Sequence, residues 1–164
     1  MKKTILIPTD FTIQSLNILK TFLNQNPNNH YNIVLVHGLN IGDSIRDLLF
    51  FSKNKQIQEL ANEAFIEAFE VIKNKFDSQI NSLKIDFFTG SNQAAFNNFI
   101  EGYQINQIIN SNYQLTFSTR KSFDFTRYFN KAKVEITTIE ITNHVNIPEK
   151  GNLAEVFFNQ ISVG

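Results

Sequence analysis

Two short, unbroken apolar runs with an amphipathic helix pattern between them constrain this chain more than any other feature. Thr4-Ile5-Leu6-Ile7-Pro8 and Ile33-Val34-Leu35-Val36 lack the alternation of a half-solvated strand. Each therefore reads as a strand buried on both faces, the pattern of a parallel sheet. Pro8 ends the first run, and His37-Gly38 ends the second. Between them Leu16, Leu19 and Leu23 share one helical face, with Ile13 and Phe22 beside it, and the stretch from Asn24 to Asn29, with Pro27 inside, closes the helix. Two parallel strands joined by a helix make a βαβ unit, whose crossover is right-handed in almost every case.

The remaining pattern extends this unit. A longer connection from Gly38 to Asn54 holds a helical turn around Ile45 to Phe51, and the stripe running from Ile57 to Phe76 predicts one long amphipathic helix. Leu83 to Phe88 reads as a third strand, Thr89-Gly90-Ser91 as a turn, Asn92 to Glu101 as a helix stopped by Gly102, and Ile105 to Asn110 as a fourth strand. Ser122 to Lys131 has the spacing of a short helix, and Val134 to Ile141 that of a fifth strand. The order βαβαβαβαβ implies an α/β fold, an open parallel sheet with helices on both faces, Rossmann-like, over residues 1–142. Residues 143–164 read as a linker followed by a short amphipathic tail.

Bulk properties narrow the function classes. A chain of 164 residues that is 42% hydrophobic fits one domain with a substantial core. Fifteen basic and fifteen acidic residues cancel, so no global field favours nucleic acid or an anionic membrane, and any anion site must be local. The absence of cysteine removes disulfides, thiolate metal sites and thiol nucleophiles, and fits a reducing compartment. No segment approaches the length of a membrane span, so a cytoplasmic location is the expectation. The seventeen Phe, beside one Met and no Trp, read as compositional bias and not as an aromatic ligand cage.

Function is concentrated at Pro8-Thr9-Asp10-Phe11-Thr12, where the first strand gives way to the first helix. In open α/β folds ligands bind beyond the carboxyl ends of the strands, so Asp10 is placed as a carboxylate at the mouth of a crevice. Asp and Thr before an apolar periodic segment are also ordinary helix N-caps. His37 stands at the end of the second strand, facing the same crevice, whereas His30 and His144 lie in a turn and the linker. No His pair has metal-ligand spacing, and no metal site is expected. Ser15 and Ser111 are nucleophiles by position only, without a Gly-x-Ser-x-Gly elbow. Asp43 and Asp47 are one helical turn apart and read as a solvated helical face before an acid-base pair, since acid-base chemistry needs convergent geometry that spacing does not show. Ser118-Thr119-Arg120-Lys121-Ser122 places cations and hydroxyls before the predicted helix, an arrangement that can bind phosphate without glycine, although the first reading is that Ser122 caps the helix and Arg120 and Lys121 are solvated surface charges.

The stretch from Ile5 to Leu16 resembles the opening strand and helix of the universal stress proteins. Ile33-Val34-Leu35-Val36-His37 resembles that family's second strand, the long helix its second helix, and Thr89-Gly90-Ser91 the Gly turn after its third strand. The resemblance covers roughly residues 2 to 141. It implies a five-stranded parallel sheet of order 3-2-1-4-5, adenine nucleotide alpha hydrolase-like, assembled as a homodimer. In the family's ATP-binding branch the Asp after strand one and the backbone around strand two hold the adenosine, while phosphates lie on a Gly-rich loop after strand four. Carried onto this chain, the cofactor-binding candidates are Pro8, Thr9, Asp10, Val36, His37, Gly90, Asn110, Arg120, Lys121 and Ser122, with ATP or another adenine nucleotide as the implied ligand.

The chain departs from that pattern after strand four. Asn110 to Ser122 contains no glycine, and Tyr113, Leu115 and Phe117 are expected to fill space that phosphates occupy in relatives. The leading expectation is a stress-response binding or dimerisation module that lacks the ATP phosphate loop, is not an enzyme and needs no cofactor. The alternative is a nucleotide-binding regulator with a modified cleft, built on Asp10, Arg120, Lys121 and Ser122.

Overall fold

The computed structural model describes residues 2–42 and 44–141. The predicted linker and tail, with His144 and Asp43, lie outside them. In chain order the elements are β1 (Lys3–Pro8), α1 (Ile13–Gln25), β2 (Tyr31–Leu39), α2 (Ile45–Leu49), α3 (Lys53–Leu60), α4 (Glu63–Lys75), β3 (Ile80–Phe88), α5 (Gln93–Gly102), β4 (Gln107–Ser111), β5 (Ser122–Phe123), a 3-10 helix (Thr126–Lys131) and β6 (Glu135–Ile139). The parallel strands run β3-β2-β1-β4-β6, which is the expected 3-2-1-4-5 order, and β5 adds an antiparallel pair to β2.

The unbroken apolar runs are explained by the two faces they serve. Ile5, Ile7, Ile33 and Leu35 pack into one core with α1 and α4, while Leu6, Val34 and Val36 pack into a second with α5 and the 3-10 helix. Successive strand residues point to opposite faces, so helices on both sides leave no position free to be polar.

Two local expectations are corrected. The stripe from Ile57 to Phe76 is two helices, because the chain turns extended at Ala61 and Asn62 and restarts with the Asn62 side chain accepting from the Phe65 N–H at 2.8 Å. An Asn cap outweighs a continuous apolar stripe. The predicted helix from Ser122 is instead β5 followed by a 3-10 turn, because its first residues pair with β2 at Gly38↔Phe123 and Leu39↔Ser122. Gly38 permits this pairing: a Cβ there would lie 2.4 Å from the Phe123 carbonyl oxygen. Arg120, Lys121 and Ser122 therefore do not precede a helix N-terminus.

Candidate functional site

The sheet opens where its connection reverses. β1 pairs with β2 from Lys3 to Pro8 but with β4 only at Ile5 and Leu6, so Ile7 and Pro8 have no β4 partner. This is the switch-point crevice in which open α/β sheets hold ligands. The first strand then turns abruptly: Thr9 N–H donates to the Val36 carbonyl at 2.9 Å, Asp10 makes an Asx turn, and Phe11 takes a left-handed φ of 62°. For a bulky residue that backbone is an outlier. It turns the Phe11 ring, 3% exposed, against His37, Phe65 and Phe87 at centroid distances of 4.8, 5.4 and 6.0 Å.

Asp10 sits at the crevice, 6% exposed, with both carboxylate oxygens taken. Oδ1 accepts from the Thr12 N–H at 3.0 Å and from the Thr12 hydroxyl. Oδ2 accepts from the Tyr113 hydroxyl at 2.7 Å and the Thr116 N–H at 2.8 Å. Thr12 also caps α1, its hydroxyl accepting from the Ser15 N–H at 3.2 Å. The capping and crevice readings of the junction thus divide between two residues: Thr12 caps, and Asp10 holds the segment after β4. Burial, then the bond to Asp10, pushes the Tyr113 hydroxyl pKa up to about 12, so it remains a donor at neutral pH.

Residues 112–121 form a strap from β4 to β2 across the end of β1. The Asn112 side chain fixes its start, accepting from the Ile141 N–H at 2.8 Å. Phe117 stands edge-on to His37, with centroids 5.7 Å apart, and the Asn40 N–H donates to the Lys121 carbonyl at 2.7 Å. Beneath it, His37 Nδ1 lies 2.9 Å from the Thr9 carbonyl and Nε2 lies 2.7 Å from Ser122 Oγ. A carbonyl only accepts, so Nδ1 carries the proton and Ser122 donates to Nε2. Desolvation by burial lowers the His37 pKa, against the smaller opposing effects of the Thr9 carbonyl and Asp10.

That shift has a sign for stability. The folded protein holds His37 neutral below the ordinary value of 6.5, at which the unfolded chain takes up a proton. The stabilisation is fully present above 6.5 and is lost as pH falls through the lower folded value. Urea midpoints measured on either side of pH 6.5 are expected to fall on the acid side, and His37→Asn is expected to flatten that dependence; an unchanged slope in the variant would assign it elsewhere.

Of the ten candidate residues, Pro8, Thr9, Asp10, Val36, His37 and Ser122 come together around the ends of β1 and β2. Gly90 belongs to a different contact, since a Cβ there would meet Ala95 at 2.5 Å and the Phe88 ring at 2.8 Å. Asn110 lies within β4, opposite Thr138. Arg120 and Lys121 are exposed. Sequence reasoning missed Thr116, whose contribution is a backbone N–H, and the conformation of Phe11. The spacing Asp10-x-Thr12, an Asx-turn signature, was the legible clue to the first half of the arrangement.

Among the described residues no group of His, Asp and Glu is gathered to hold a metal, and no helix is long and apolar enough to cross a membrane. No protein-family model and no curated protein matches the sequence. Solved structures do. The hypothetical protein PH0823 is 18% identical with a TM-score of 0.53, over 87% of this chain and 99% of that one. The hypothetical protein MJ0577 is 18% identical with a TM-score of 0.52, over 86% and 97%. UspA, a universal stress protein from Lactobacillus plantarum, is 13% identical with a TM-score of 0.53, over 84% and 97%. In strand order, sheet polarity and helix placement, this chain has the universal stress protein fold.

Proposed function

We propose that this chain is a divergent universal-stress-protein-like binding module, not an enzyme, whose nucleotide crevice is closed by its own strap. The observation that carries this reading is the saturation of Asp10: both oxygens of this crevice carboxylate accept from Thr12, Tyr113 and Thr116. A ligand hydroxyl would have to displace charge-assisted hydrogen bonds already made, and gains only the difference. The glycine-free segment after β4 brings side chains where an open backbone would otherwise meet phosphates. A cytoplasmic role in stress response follows as part of the same reading.

Calorimetric titration with ATP and AMP tests it. The expected result is no saturable heat below about 1 mM, corresponding to binding no stronger than roughly −4 kcal/mol. Micromolar binding that is lost in Asp10→Ala would instead favour the modified-cleft alternative, with Arg120 and Lys121 meeting the phosphates and Ser122 leaving His37 to join them.

The partner in this reading is a second copy. β6 pairs with β4 on one side, and its other edge has no partner strand among the described residues. An open edge of this kind is stable when covered. Light scattering at tens of micromolar protein is expected to give the dimer mass; the monomer mass would remove this part of the proposal.

A further inference from the structure

We propose that a second cleft, on the outer side of the strap, binds a small organic anion with a flat apolar body. This cleft, of about 310 Å³, lies between the end of β2, α2 and the strap residue Lys121. None of the residues around Asp10 lines it, so the inference stands whether or not the crevice is closed.

Its floor is apolar and anchored. Phe51 lies edge-on to Phe87 at 6.0 Å, and Phe87 in turn touches Phe11 and His37, so the floor is the outer face of the buried aromatic group. Ile41 adds to the floor, and Phe50 lines the same cleft while remaining 77% exposed. An aromatic face left to solvent beside an apolar floor has unspent burial for a flat ligand.

Its lining is charged. Arg46 and Lys121 both line the cleft, and neither makes an ion pair among the described residues, where Lys53 with Asp86 is the salt bridge formed. The Lys121 backbone is pinned to Asn40 at 2.7 Å, so its cation is delivered from a fixed point. Asp47 lines the cleft as well, and its carboxylate lies close enough to Gly42 that a Cβ there would come within 2.6 Å of it. Gly42, at φ +84°, is what allows the chain to turn so tightly at that rim. Among the described lining residues two cations stand against one carboxylate, a positive balance that suits an organic anion. The guanidinium of Arg46 suits a planar or tetrahedral oxyanion, which it grips with two parallel N–H bonds. The volume is at the lower end of the roughly 300–1,000 Å³ typical of small-molecule sites, so the ligand class is a single-ring carboxylate or phosphate monoester and not a dinucleotide.

The test is an amide-resolved NMR titration of the full chain with benzoate, phenyl phosphate and benzylamine. Benzoate or phenyl phosphate is expected to shift the amides of Ile41, Arg46, Phe51 and Lys121 saturably, and the tighter of the two identifies the head group. Benzylamine is expected to leave them unmoved. Arg46→Ala and Lys121→Ala, both at exposed positions, are each expected to weaken the anion about tenfold, the usual effect of losing a charge-assisted hydrogen bond. Lys133→Ala, at an exposed position that does not line this cleft, is expected to leave it unchanged, which separates the site from a general effect of surface charge. The proposal is overturned if neither anion saturates by roughly tens of millimolar, beyond the range of efficient single-ring ligands. Equal binding of benzylamine, or affinity that survives both charge removals, overturns it as well.

Discussion

Phe11→Ala is expected to lower stability by about 3–5 kcal/mol, the range for truncating a buried aromatic side chain. The ring is 3% exposed and fills the space between His37, Phe65 and Phe87, so its loss leaves a cavity beneath the crevice and not a dent in the surface. The backbone adds a second signature. At φ 62° an L-residue carries roughly 1–2 kcal/mol of strain that glycine does not. Phe11→Gly is therefore expected to fall within about 1 kcal/mol of Phe11→Ala, although glycine also raises unfolded-state entropy and is ordinarily the worse substitution. Urea unfolding of the three proteins checks both parts; a loss below about 1 kcal/mol for Phe11→Ala would mean that the ring is not the support beneath Asp10.

Asp10→Ala is expected to cost about 2–4 kcal/mol, since it removes the acceptor of two N–H groups and of the Thr12 and Tyr113 hydroxyls. The direction of this effect separates two roles for one carboxylate. A ligand-binding Asp held free in a crevice is a stability liability, and replacing it is neutral or stabilising. A structural Asp that ties the strap to the end of β1 gives the opposite sign. Tyr113→Phe removes one of the bonds and keeps the ring, so its loss should be a fraction of that for Asp10→Ala. Equal or greater stability in Asp10→Ala would return the residue to the ligand-site role.

The fold was legible because its determinants are local. A strand buried on both faces has no polar positions, and Ile5-Leu6-Ile7 and Ile33-Val34-Leu35-Val36 announce this within a few residues each; the strand order then came with the family resemblance. The break at Asn62 was not seen because a helix restart leaves the apolar spacing from Ile57 to Phe76 almost unchanged, and the cap that causes it is one Asn among many. The segment from Ser122 was misread for a non-local reason: what makes it a strand is room beside Gly38, some eighty positions earlier. The candidate site divides in the same way. Asp10 and His37 were placed by strand ends, and side chains of the glycine-free segment, Tyr113, Leu115 and Phe117, were expected near them; Tyr113 reaches Asp10 and Phe117 reaches His37. That Tyr113 and Thr116 would bond to Asp10 itself required the strap's path, which no periodicity encodes.

In the protein as it stands, the strap is tied to Asp10. Hydrogen exchange at the Thr116 amide reads that tie directly, because its acceptor is the Asp10 carboxylate at 2.8 Å. This amide is expected to be protected in the unliganded wild-type protein, ATP at about 1 mM to leave its rate unchanged, and Asp10→Ala to abolish the protection while β1 and β2 remain protected. A Thr116 amide that exchanges freely in the wild type and becomes protected only when ATP is added would contradict it.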